Sequence, residues 1–350
     1  MEPGDPLGLH RVLPETDPTA PLPLPQRAAR LDPDPDKVFE SEILVSVETL
    51  NIDAASFKQM EDEAGGDSAK IGDIVMRTIA TRGKQHNPVT GSGGMLLGKV
   101  SRVGGLVSER GVMRGDRIAT LASLSLTPLK LSRIISVRPA SAQVDVEGTA
   151  VIFATAPFAK MPKDLAERLA LAALDVAGAA PQVGRLAKPG DTVLVLGAGG
   201  KSGLLCCVEA RKRVGKSGKV IGLESYAPFT KDLIALGVCD AVVEHDARDA
   251  AGVRDRVAEL TLGEGADLTI SCVNVPGCEM AAICATKDRG KAYFFAMSTS
   301  FTACALGAEG IGADIDLYIG NGYAEGHADY TLDILREDNR LRSLFERRYT

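Results

Sequence analysis

Residues Asp191–Gly203 read DTVLVLGAGGKSG and run directly into LLCCVEARKRVG, Leu204–Gly215. The Val and Leu run has the composition of a strand buried on both faces, and the glycine-dense turn after it opens a helical pattern. Strand, small-residue turn and helix in that order suit a dinucleotide pyrophosphate. Only a backbone free of bulky side chains lets the phosphates approach, and the N–H groups of the first helical turn point at them. The next hydrophobic strand, Val220–Leu223, ends in Glu224, where a carboxylate accepts hydrogen bonds from adenosine ribose hydroxyls. A tight turn and a chance surface acid would be the plainer reading of either feature alone; strand, turn, helix and acid in register favour a binding site.

The glycine spacing is irregular. Gly197 and Gly199 satisfy the first two positions of G-x-G-x-x-G, Ser202 takes the third, and Gly203 comes one residue late. Gly197, Gly200 and Gly203 also fit G-x-x-G-x-x-G, a spacing that goes with the phosphorylated cofactor. Glu224 weighs the other way, because its charge would repel a 2′-phosphate and no Arg follows it in Glu224-Ser225-Tyr226. The expected cofactor is NAD.

With 350 residues, 45% hydrophobic and 25% charged, the chain is expected to form two globular domains. A net charge of −6, with basic residues scattered rather than grouped, argues against a nucleic-acid partner. No apolar stretch reaches membrane-spanning length, and the acidic, proline-rich N-terminus does not have the layout of a signal peptide, so no membrane partner and a cytoplasmic location are expected. All seven cysteines lie at or after Cys206. Their odd number and lack of paired spacing argue against a disulfide framework or a zinc site, and Cys206, Cys207 and Cys272 read as small hydrophobes.

The first 36 residues carry nine prolines, too many for a regular helix or a central strand. This arm is either disordered or docked through Leu7, Leu9, Val12 and Leu13. Glu42–Leu50 alternates as a strand, Ala54–Ala64 and Lys70–Thr81 suit helices, and Gly98–Val103, Asp116–Leu121 and Ala150–Ala154 suit short strands. From about Met161 the rhythm becomes βα, with strands expected at Thr192–Leu196, Val220–Leu223, Ala241–Val243, Leu268–Cys272, Ala292–Ala296 and Ile315–Tyr318. The fold class is therefore α/β, a doubly wound parallel sheet preceded by a β-rich half.

In this order the chain resembles the medium-chain dehydrogenase/reductase superfamily. EILVSVETLNIDAASF (Glu42–Phe57), GKVSRVGGLVSERGVMRGDR (Gly98–Arg117), Leu186–Gly203 and Leu236–Cys272 are similar to successive segments of it. Within the superfamily, AGGD (Ala64–Asp67), GKQHNPVTGSGGM (Gly83–Met95) and LGAGGKSG resemble the diaminohexanoate dehydrogenases. The resemblance implies a GroES-like catalytic domain over 1–160 with the arm, a Rossmann domain over 161–318, and a segment 319–350 returning towards the catalytic domain. It further implies NAD-dependent oxidative deamination of L-erythro-3,5-diaminohexanoate to 5-amino-3-oxohexanoate and ammonium, as in lysine fermentation, by a homodimer. Against zinc-containing members the chain departs: Asp53 stands where they carry a Cys ligand, and Gly94-Met95 where they carry His-Glu, so no metal is expected.

Oxidising an amine in this way needs its neutral form, since the nitrogen lone pair drives hydride loss, and later needs a group that activates water. Asp53, whose superfamily position faces the nicotinamide, is the first candidate for that base; as the residue before Ala54-Ala55-Ser56-Phe57 it is equally suited to cap a helix. His86 is an acid–base candidate, although an ordinary surface or structural histidine is the commoner case. Lys84 would bind the substrate carboxylate, or is a solvated lysine. Gly91-Ser92-Gly93-Gly94 offers close backbone approach or a plain hairpin turn. Asn274 and Met297-Ser298 follow strands at the edge where open α/β sheets bind ligands and are expected to border the nicotinamide. Tyr323 is a weaker candidate. The rival readings are a zinc-independent quinone or enoyl reductase of the same superfamily, and a catalytically silent cofactor-binding protein.

Overall fold

The computed structural model describes residues 2–14, 21–87, 91–320 and 322–350. It divides into two compact units, Met1–Asp164 and Leu165–Thr350.

The first unit contains β1 (Glu42–Asn51), α1 (Ala54–Ala64), α2 (Ser68–Arg82), β2 (Met95–Val103), β3 (Arg117–Thr120), β4 (Leu129–Arg138), β5 (Gln143–Phe153) and β6 (Phe158–Lys160). The strands form one sheet in the order β4-β5-β1-β2-β3-β6, each neighbouring pair antiparallel. Alternation along β1 sends Ile43, Val45 and Val47 into a core shared with Phe57 and Met60 of α1 and with Ile71, Val75 and Ile79 of α2. Both helices start on a carboxylate cap, Asp53 for α1 and Asp67 for α2, and both end on a left-handed glycine, Gly65 and Gly83. The expected short strand Ala150–Ala154 overlaps the last part of the longer β5, which pairs with β4 from Gln143 to Ala150. Strand β4 escaped the sequence reading because, as an edge strand with a mostly open face, its polar-rich LKLSRIISVR has no strong apolar alternation.

The proline-rich arm docks, through Val12 as expected and through side chains that were not expected. Leu7 is exposed, whereas Arg11 is fully buried and Val12, Ala28 and Leu31 form a small cluster. Arg11 donates from Nε and Nη2 to the two oxygens of buried Glu42 at 2.7 Å each, and its remaining donors reach the Asp34 and Lys37 carbonyls. A bidentate pair with every donor used is the geometry in which a buried charge is tolerated. Residues 15–20 lie outside the described residues.

The second unit contains α3 (Glu167–Leu174), α4 (Ala179–Leu186), β7 (Thr192–Leu196), α5 (Lys201–Val214), β8 (Lys219–Glu224), α6 (Ala227–Leu236), β9 (Ala241–Glu244), α7 (Ala250–Thr261), β10 (Ala266–Ser271), α8 (Glu279–Ala285), β11 (Thr286–Phe294), α9 (Phe301–Ile311), β12 (Asp316–Ile319), α10 (His327–Glu337) and α11 (Asn339–Tyr349). The sheet is parallel, in the order β12-β11-β10-β7-β8-β9. Strand order reverses beside β7, so the loop after it lies at the crevice where doubly wound sheets bind ligands. The segment 319–350 is part of this second compact unit. Its helices bury Leu332, Leu335, Leu341 and Phe345, with α10 against α3, α4 and α5 and α11 against α3 and α6. No helix among the described residues is long and apolar enough to cross a membrane.

Candidate active site

The loop after β7 is built for close approach. Gly197 turns the chain with φ +72°, and a Cβ on Gly203 would lie 2.1 Å from the Gly197 carbonyl oxygen. Gly203 therefore packs α5 against the turn, the task of the third glycine in the usual spacing, which explains why Ser202 can occupy the nominal third position. Ser202 is buried in the first turn of α5. A Cβ on Gly199 would meet Phe229 Cβ at 2.6 Å and Glu224 Oε2 at 2.8 Å, whereas one on Gly200 would find only the Gly197 oxygen, at 3.6 Å. Gly200 is the N-cap of α5 and supplies no side-chain cap. The first N–H groups of the helix are thus directed at an open approach, and the residues present fit a dinucleotide.

Glu224 does more than the sequence reading assigned to it. Its Oε2 accepts from Gly199 N at 3.0 Å, and Oε1 accepts from Ser225 N at 2.9 Å and Tyr226 N at 3.0 Å. An ionised carboxylate offers about four acceptor positions, so the group that orders the glycine turn keeps capacity for a ribose hydroxyl. The structure adds Arg348, which the sequence reading missed. From α11 it donates to Gly199 O at 2.6 Å, bonds Asp232 Oδ2 at 2.8 Å and lies 3.9 Å from the centre of the Phe229 ring. An arginine does therefore stand at the fingerprint, although none follows Glu224 in sequence, and its charge is answered by Asp232.

Asn274 and Met297 lie in the loops after β10 and β11, both exposed, with Met297 at 83%. Ser298 Oγ donates to Val273 O at 3.0 Å and joins the two loops. Tyr323 follows β12, and its ring lies 5.1 Å from that of His327 on α10. All seven cysteines are free thiols, and the Cys206 and Cys272 sulfurs stand 3.9 Å apart.

In the first unit, Gly93 and Gly94 join the acid–base candidates. A Cβ on Gly94, at φ +79°, would lie 2.2 Å from Asn51 O and 2.9 Å from Asp53 N, while one on Gly93 would lie 2.3 Å from Gln85 O. This dipeptide is thus pressed between the end of β1 and the segment that leaves α2. Asn87 adds a second link, donating from Nδ2 to Gln59 Oε1 on α1 at 2.8 Å. Residues 88–90, part of the quoted Gly83–Met95 stretch, and residue 321, in the turn before Tyr323, lie outside the described residues.

Asp53 takes the capping role that its sequence position allowed, with one of its two oxygens. Oδ1 accepts from Ser56 N at 2.9 Å and caps α1, while Oδ2 is buried without a hydrogen-bond partner. His86 Nδ1 and Gln85 Oε1 are likewise buried and unpartnered. Burial, and then the charges of Lys84 and Arg82, lower the His86 pKa below its ordinary value, so the ring is neutral near pH 7. Lys84 departs from its expected role. It is fully buried, and its ammonium donates to Pro25 O at 2.9 Å and Gln26 O at 3.3 Å, carbonyls of the docked arm. Burial, followed by the Arg82 charge, pushes its pKa down to about 8. The superfamily zinc positions do not fit a metal, since Gly94 has no side chain and no room for one. Among the described residues no group of three or more His, Cys, Asp or Glu is placed to hold an ion.

A family model described as the L-erythro-3,5-diaminohexanoate dehydrogenase N-terminal domain matches residues 11–162. The chain is 47% identical to L-erythro-3,5-diaminohexanoate dehydrogenase of Acetoanaerobium sticklandii, over 98% of each chain. The chain belongs to the L-erythro-3,5-diaminohexanoate dehydrogenase family. The Fusobacterium nucleatum relative of the same name is 45% identical over the full length of both. Among solved structures, a mycobacterial protein complexed with NADPH is similar with a TM-score of 0.55 at 18% identity, covering 87% of each chain. At that identity the likeness speaks for the fold, which is that of the medium-chain dehydrogenases and reductases.

Proposed function

We propose that this member of the family oxidises L-erythro-3,5-diaminohexanoate with NAD and water, giving 5-amino-3-oxohexanoate, ammonium, NADH and a proton. The observation that carries the site assignment is the divided Asp53 carboxylate: one oxygen holds the helix, and the other is buried with nothing bonded to it. Gly197, Gly199, Gly200, Ser202, Gly203 and Glu224 would hold the dinucleotide, with Asn274 and Met297 at the nicotinamide end. When bound, the nicotinamide supplies the hydride acceptor. Asp53 Oδ2 takes the proton from the reacting ammonium and leaves a neutral amine. Neutral His86 then draws a proton from the water that adds to the substrate carbon, and an imidazolium so formed returns it to the departing nitrogen. Lys84 acts through His86, because its buried charge adds to burial in lowering the pKa of that ring.

Glu224 supports NAD over NADP, since its charge would repel a 2′-phosphate and Arg348, which bonds the Gly199 carbonyl, is paired with Asp232. The edge position of β12, with Tyr318 and Ile319 partly exposed and Phe301, Leu306 and Ile311 exposed on neighbouring α9, supports a homodimer. Free thiols at all seven cysteines support a cytoplasmic setting. The deciding assay is purified enzyme with NAD and 3,5-diaminohexanoate, following reduced cofactor and ammonium together. Reduced cofactor without an equal yield of ammonium would refute the deamination, and turnover of a quinone or enoyl substrate instead would favour the reductase reading.

A further inference from the structure

The substrate named above carries two ammonium groups with opposite fates. The one at C3 must lose a proton before oxidation, and the one at C5 must pass through the reaction unchanged. A site that placed proton acceptors against both would deprotonate whichever was easier to ionise. The chemistry therefore asks for a carboxylate or imidazole at one nitrogen and, at the other, an acceptor that cannot take a proton.

Gln85 has that character. It is 1% exposed, and its amide oxygen is buried without a hydrogen-bond partner. An unanswered buried acceptor demands an explanation, because native folds leave few of them. Of the other unpartnered buried atoms, those of Ser41, Arg102 and Arg138 lie on other segments of the first unit, and Glu209 Oε2 and Tyr293 OH belong to the second. Asp53 Oδ2, Gln85 Oε1 and His86 Nδ1 instead lie on two segments that the Gly93–Gly94 dipeptide holds together, and all three are groups that accept hydrogen bonds. An alkyl ammonium carries three donors and no acceptor, which is the complement of that set. Asp53 and His86 can take a proton; the Gln85 amide cannot.

We propose that the Gln85 side-chain carbonyl receives the C5 ammonium of the substrate and so makes the enzyme selective for a 3,5-diamine over a 3-monoamine. The assignment rests on the reading of Asp53 as the proton acceptor for C3, and the test separates the two. Initial rates are measured with 3,5-diaminohexanoate and with 3-aminohexanoate, which has the same chain without the second amine. If the monoamine is not turned over, its inhibition constant replaces its KM. Gln85→Leu should raise KM for the diamine and cut the diamine-to-monoamine ratio of kcat/KM by about 10–100-fold, the worth of one hydrogen bond to a charged group. Monoamine kinetics should hold or improve. Gln85→Met, unbranched and of similar length, carries the same expectation if the Leu variant does not fold.

An unchanged ratio in the Leu or Met variant, or a parallel loss of kcat for both substrates, overturns the proposal. Asp53→Asn should depress both substrates alike. If it does so while the Gln85 ratio stays fixed, the subsite fails and the base stands. If the ratio collapses while Asp53→Asn is fully active, the subsite stands and the base assignment fails.

Discussion

Asp53→Asn separates a helix cap from a base within one side chain. Asn is as good an N-cap as Asp, so its amide oxygen keeps the 2.9 Å bond from Ser56 N and α1 starts where it did. Stability should change by no more than about 0.5 kcal/mol, whereas Asp53→Ala, which removes the cap, should cost about 1 kcal/mol. What Asn cannot replace is the second oxygen, which is buried and unpartnered in the resting structure. If Oδ2 takes the ammonium proton, kcat falls by about 10²–10⁴, the usual price of losing a general base, equivalent to about 2.7–5.5 kcal/mol on the barrier. The dinucleotide residues lie in the other unit, so NAD affinity should be unchanged. The assay is steady-state turnover followed by reduced cofactor, with NAD binding by titration and Tm by calorimetry on the same preparations. An Asn variant with wild-type Tm and wild-type kcat would refute the reasoning, reduce Asp53 to its cap and move the base to His86.

Lys84→Met should reveal the buried ammonium through pH. The Lys84 pKa is about 8 in the fold against an ordinary value of 10.5. The unfolded chain therefore binds more protons between those values, and wild-type stability should climb relative to Met as pH rises from about 8 to about 10.5. A Tm difference that stays flat across this range contradicts the burial of the charge. Glu224→Ser removes the acceptor for Gly199, Ser225 and Tyr226, and should weaken NAD and narrow its lead over NADP; a wild-type enzyme that already prefers NADP contradicts the assignment. Arg11→Met leaves Glu42 charged in the core and should destabilise by about 3–5 kcal/mol in denaturant unfolding, against a negligible change if the arm were loosely attached. Prolonged chelation should leave turnover intact, and stoichiometric zinc whose removal abolishes activity would contradict the reading of Asp53 and Gly94.

The parts of the molecule legible in the sequence are those whose physics is local. The β7 turn was legible because a buried strand, a glycine turn and a helix are consecutive, and the Asp53 cap because an N-cap is set by the residues just after it. Even the irregular glycine spacing has a local answer once Gly203 is seen to lie against the Gly197 carbonyl. Strand β4 was illegible because its pairing with β5, rather than its own residues, makes it a strand. Arg11, Gln85 and Arg348 were illegible for a related reason. Nothing beside Arg11 in the chain announces a partner 31 residues away, and Arg348 reaches a loop 149 residues back.

Lys84 shows the limit most directly. As a lysine beside a histidine it was expected to meet a negatively charged substrate group, yet the proline-rich arm supplies two carbonyls that hold its ammonium inside the fold. The arm thereby gains a chemical consequence that its composition did not show. Arg11 and Glu42 fix it, its residues Pro25 and Gln26 hold Lys84, and burial together with the Lys84 charge lowers the His86 pKa. Loosening the arm should therefore raise the His86 pKa even though no arm residue is assigned to the substrate. In Arg11→Met that shift would appear as an acidic limb of the pH–rate profile moved upward. A profile identical to wild type would leave the arm with a purely structural role.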